Sequence, residues 1–130
     1  MVVDSSAVIA LLRGESEAPR LAAAMKRAGA CVMTAVNAFE CRTVLYGRFG
    51  PTAVAEFELL VQSRPIVIEA FDERQSLVAF EAYRRYGKGT GHRARLNMGD
   101  CAAYALAVSR GLPLLFVGDD FRHTDATPAL

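Results

Sequence analysis

The chain has 130 residues, enough for one domain with its own hydrophobic core and no disulfide or metal staples. Apolar residues make up 52% and charged residues 22%, which excludes a disordered chain. No apolar run reaches the roughly 18 residues a membrane span needs, and a net charge of +1 does not by itself point to a polyanionic partner.

In chain order, Val2-Val3 reads as a short buried strand running straight into Asp4. Ser5 or Ser6 can cap a helix through Leu12, and a second helix is predicted over 18–28 with Gly29 as its stop. Cys31, Val32 and Met33 form the next apolar run, after which Thr34 can cap a helix to about Phe49. Gly50-Pro51 breaks it, and Pro51 suits the first turn of a helix ending near Gln62. Ile66, Val67 and Ile68 predict a third strand, and 72–86 a further helix. The stretch "YGKGTGHRAR", 86–95, is a glycine-rich basic loop. Asp100 opens a last helix to Arg110, closed by Gly111, with Ala103, Tyr104, Ala107 and Val108 as its inward face. Residues 114–117 are a fourth strand, ended by Gly118 and followed at once by Asp119 and Asp120. Strands this short and uniformly apolar, separated by helices, predict an α/β domain over 1–130: a mostly parallel sheet of four to five strands in three layers with the flanking helices.

Cys31, Cys41 and Cys101 are odd in number and scattered, and only His92 and His123 could assist them. Buried reduced thiols are expected rather than a closed zinc site. The N-terminus lacks the basic start and cleavage site of a signal peptide, so a cytoplasmic protein is expected, with no membrane partner.

The acids are the informative residues. Sites in open parallel sheets form beyond the carboxyl ends of the strands. Asp4 follows the first strand and Asp119-Asp120 the last, so two distant segments deliver acids to one sheet edge. Glu40 lies in an apolar helical stripe with Val36 and Val44, where a solvated acid has no reason to be. Asp100 starts a helix, a position that simple capping also favours. Clustered carboxylates repel one another, and oxygen donors without nearby His or Cys select a hard divalent ion, magnesium or manganese.

Four segments, "MVVDSSAVIALL", "TAVNAFE", "LNMGDCAAYALA" and "PLLFVGDDFRHTD", together resemble a PIN domain, specifically the VapC toxins of toxin–antitoxin operons. The likeness spans the chain and implies a small parallel sheet between helices and a magnesium- or manganese-dependent endoribonuclease. Carried over residue by residue, it implies a metal-binding set of Asp4, Glu40, Asp100 and one acid of the Asp119-Asp120 pair, with Asp120 preferred. Ser6 matches a hydroxyl residue that orders the first acid. Asn97 and Thr124 match further positions, where a helix cap and loop hydrogen bonding are the simpler roles. The resemblance also implies a homodimer and a cognate VapB-like antitoxin, with the two helices around "AFECRTVLYGRFG" and "VAEFELLV" as candidate contact surface.

An RNA substrate at an acidic pocket calls for a cationic rim. Arg84, Arg85, Lys88, Arg93 and Arg95 supply one, with Tyr83 and Tyr86 able to stack on bases, although a solvated helix end explains them nearly as well. Two rival classes compete. A receiver-like signalling domain also gathers acids around magnesium, but neither lysine stands where its mechanism needs one. A non-catalytic RNA-binding module of the same fold would not need every acid position filled. A haloacid-dehalogenase-type phosphatase would need a second Asp two residues after Asp4, where Ser6 stands.

Overall fold

The computed structural model describes residues 1–64 and 66–130. Its elements run β1 (Val2–Val3), α1 (Ser5–Arg13), α2 (Ala18–Ala28), β2 (Cys31–Thr34), α3 (Ala35–Phe49), α4 (Pro51–Ser63), β3 (Ile66–Glu69), α5 (Glu73–Tyr86), α6 (Met98–Arg110) and β4 (Leu114–Leu115), followed by a 3-10 helix, Asp120–His123. The four strands form one parallel sheet in the order β3-β2-β1-β4.

Alternation along the strands divides the core into two layers. Val3, Cys31, Met33 and Leu115 face α1 to α4, whereas Val2, Val32 and Leu114 face α5 and α6. Successive side chains of a strand point to opposite faces, so even a two-residue strand contributes to both layers. The central strands β1 and β2 are almost wholly apolar because both of their faces are covered, whereas the edge strand β3 leaves Val67 exposed and ends in Glu69.

Three local expectations are corrected. β4 ends at Leu115 rather than at residue 117: the strand it pairs with, β1, gives out at Val3, and its bridge to Pro128 on the other side involves Leu114 alone. The cap of α1 is Asp4, whose carboxylate accepts from the Ser6 N–H, rather than Ser5 or Ser6. α6 begins two residues before Asp100, at Met98, because Asn97 is its cap; its inward face lacks Val108, which is exposed.

The buried face of α3 is likewise shifted. Asn37, Ala38, Cys41 and Leu45 are buried, while Val36, Glu40 and Val44 lie at its half-exposed margin. Glu40 therefore stands at the edge of the core rather than inside it, which is where a carboxylate can meet both solvent and its neighbours.

Candidate active site

β1 delivers Asp4 to the carboxyl edge of the sheet, where only 2% of its surface is exposed. Its carboxylate is nonetheless fully engaged. One oxygen accepts from the Ser6 amide at 2.9 Å and the Ser6 hydroxyl at 2.5 Å, and the other from the Asn37 side-chain amide at 3.1 Å. Burial pushes the acid's pKa up and Glu40 adds repulsion, while the Ser6 bonds pull it down; the net direction is upward.

Asn37 joins the segments that carry the acids. Its amide nitrogen also donates to the Gly99 carbonyl at 3.1 Å, and its oxygen accepts from the Thr34 hydroxyl at 2.5 Å. One fully buried side chain thus connects β1, β2 and α6, while sitting on α3 one turn before Glu40. Glu40 accepts from the Ser5 hydroxyl at 2.7 Å. Ser6 holds Asp4 and also accepts from the Val117 amide at 3.1 Å, tying the first acid to the segment leading to Asp120.

Asp100 forms a reciprocal capping box with Asn97, the Asn97 amide donating to its carboxylate at 2.7 Å and its own amide donating to the Asn97 side chain at 2.9 Å. Its pKa is pushed up to about 7, first by burial and then by the charges of Asp4, Asp120 and Glu40. That three other acids act on Asp100 shows that the four share one field.

Asp4, Glu40, Asp100 and Asp120 line a single cavity of about 350 Å³, together with Ser6 and Asn97. Asp119 does not line it: its exposed carboxylate lies 3.4 Å from Arg122. Thr124 lies outside it too, its hydroxyl donating to the Phe121 carbonyl at 2.7 Å and closing the 3-10 helix. None of Arg84, Arg85, Lys88, Arg93 and Arg95 lines the cavity; Arg84 pairs with Glu81 and Arg85 with Asp125. The one basic side chain in the lining is Arg48, two turns beyond Glu40 on α3.

Among the described residues, no three histidine, cysteine or carboxylate side chains are arranged to hold a metal ion as they stand. Asp4, Glu40 and Asp100 each accept from a nearby donor, which offsets part of the repulsion among them. The donors present still fit a hard divalent ion: they are carboxylate oxygens lining one cavity, and two of them hold their protons abnormally tightly.

The sequence reading missed Thr34, Asn37, Ser5, Gly99 and Arg48. Asn37 could have been found by the argument used for Glu40, since it is a polar residue among Ala38, Cys41 and Leu45. The others depend on neighbours distant in the chain.

A sequence model of the PIN domain matches residues 1–127. The chain belongs to the PIN-domain family. Ribonuclease VapC42 of Mycobacterium tuberculosis is 46% identical over 129 residues, covering 99% of this chain and 98% of the relative, which places this PIN domain with the VapC ribonucleases. The crystal structure of Mycobacterium tuberculosis VapC20, a sarcin–ricin loop cleaving toxin, superposes with a TM-score of 0.79 at 20% identity, over 97% of this chain and 95% of that one. A toxin–antitoxin complex from Klebsiella pneumoniae gives 0.68 at 15% identity, over 92% and 88%. These two structures establish the shared fold.

Proposed function

We propose that this PIN domain is a magnesium- or manganese-dependent endoribonuclease, the toxin of a toxin–antitoxin pair acting in the cytoplasm. The observation that carries this reading is the meeting of Asp4, Glu40, Asp100 and Asp120, from four separate segments, in one cavity. The ribonuclease names of its relatives support it.

Asp4, Asp100 and Asp120 would hold the ion, with Ser6 and Asn37 fixing Asp4 in place. A divalent ion bound there would supply positive charge for the phosphodiester and acidify water. Glu40, held by Ser5, accepts a proton from the attacking water as its oxygen bonds to phosphorus and the bond to the leaving ribose oxygen breaks. Arg48 holds a phosphate oxygen against the surrounding negative field. The basic loop contacts flanking RNA through Lys88, Arg93 and Arg95, which are exposed.

Two apolar surfaces fit protein partners. Phe39, Tyr46 and Leu59 are exposed on α3 and α4, and Leu77, Phe80 and Met98 on α5 and α6. A VapB-like antitoxin and a second copy of the chain are the proposed occupants.

Incubation of the purified protein with total RNA, with and without manganese, tests the activity. New RNA ends should appear only with the ion and should vanish for Asp100→Asn; wild-type cleavage by that variant would overturn the assignment.

A further inference from the structure

Beside the acidic cavity lies a second, smaller one of about 160 Å³ that the reaction above does not use. The buried Leu21 and Leu114 line it, together with Glu17 at the cap of α2, Arg20 on α2, Phe116 and Arg122. Val117 lines both cavities, and Arg122 follows Phe121, which lines the acidic one. The partition between them is tied to the acidic site, because the Val117 amide donates to the same Ser6 hydroxyl that holds Asp4.

We propose that this slot holds the nucleotide adjoining the cleaved phosphodiester, and that Glu17 selects guanine there. The inference rests on the ribonuclease reading and adds a base subsite to it.

Three features support a nucleotide as occupant. The slot adjoins the acidic cavity, the two sharing Val117 as a lining residue, so the next unit of a strand whose phosphate lies over the carboxylates is within reach of it. Leu21, Leu114 and Phe116 offer an apolar bed for a base, and Phe116 is braced by the Phe121 ring at 5.0 Å. Two guanidiniums, Arg20 and Arg122, give the walls the charge that a polyanion requires and can stack on a base plane. Arg122 has Asp119 at 3.4 Å, and Arg20 lies near enough to Glu17 for its charge to act on that acid.

Glu17 gives the slot its selectivity. One carboxylate oxygen accepts from the Ser16 hydroxyl at 2.7 Å, which together with Arg20 holds the acid ionised. An ionised carboxylate only accepts hydrogen bonds. Guanine presents two adjacent N–H donors on its Watson–Crick edge, uracil one flanked by two carbonyls, and adenine and cytosine an amine beside a bare ring nitrogen. Single-stranded RNA is read on this edge, and guanine is the base that satisfies both carboxylate oxygens.

The test uses short RNAs spanning a mapped cleavage site and differing only in the nucleotides on either side of it. The wild-type protein should cut fastest with guanine at one of these positions. Glu17→Gln should reduce that preference roughly tenfold, because an amide can both donate and accept. Arg20→Ala should raise KM several-fold and leave kcat near wild type. Arg27→Ala, at the opposite edge of the sheet beside Met1 and Pro113, should match wild type throughout. Both Glu17 and Arg20 are exposed, so neither change threatens folding. Active wild type with no base preference, or with a preference that Glu17→Gln retains, overturns the slot and leaves the ribonuclease reading standing. Wild type that cuts no more than Asp100→Asn overturns both.

Discussion

A Cβ added at Gly99 would lie 2.3 Å from a carboxylate oxygen of Glu40, so the start of α6 and the α3 acid meet at a distance that only glycine allows. Gly99→Ala should therefore displace Glu40 from Ser5. The yielding atom is the tip of a flexible side chain, and alanine is the better helix former by about 1 kcal/mol. Stability measured by denaturant unfolding should stay within about 1 kcal/mol of wild type, while RNA cleavage falls at least roughly tenfold.

Asn37→Ala should be costlier to the fold. It removes the acceptor of the Thr34 hydroxyl proton and the side-chain donor to the Gly99 carbonyl, and strips Asp4 of a donor. A loss of about 1–3 kcal/mol is expected for such buried unmet groups, read from urea titrations. Manganese affinity measured by calorimetry should fall with it, since Asp4 would no longer be held.

Acid should stabilise the metal-free protein. Asp4 and Asp100 have raised pKa values, Asp100 about 7 against an ordinary 3.8. Between those limits the folded state binds more protons than the unfolded chain, so stability declines as pH rises through the window. Thermal melts of the metal-free protein should give a higher Tm at about pH 5 than at about pH 8. Asp100→Asn should raise the Tm at the higher pH and flatten the dependence, and manganese should do the same for wild type.

Arg48 and the loop cations should separate by salt. Arg48→Ala, Lys88→Ala and Arg93→Ala should each reduce the slope of log affinity against log salt by about one, measured with RNA bound to the inactive Asp100→Asn background. Arg48→Ala alone should also slow cleavage by saturating enzyme, because it alone lines the cavity. Arg84→Ala should change the slope less, its charge being shared with Glu81.

The helices were legible because their signals are local. Gly29 and Gly111 end α2 and α6, Pro51 starts α4, and Thr34 caps α3 through a bond to a residue three positions on. The length of β4 was not, because a strand ends where its neighbour does, and that neighbour lies more than a hundred residues away. The phase of α3 was misread by one position because apolar Val36 and Val44 flank Glu40, whereas the buried face is the adjacent one that includes Asn37.

The chain on its own determined its family and its αβ order, and it singled out Asp4, Glu40, Asp100 and the Asp119-Asp120 pair as site candidates, for these are written as residue types beside strand ends and helix starts. It did not separate Asp119 from Asp120; the 3-10 helix did, turning one toward Arg122 and the other into the cavity. Nor did it reveal Asn37 as the link between three elements, or the closeness of Gly99 to Glu40. Those depend on side chains dozens of positions apart packing at hydrogen-bond or van der Waals distance, and only the folded sheet with its helices brings them there.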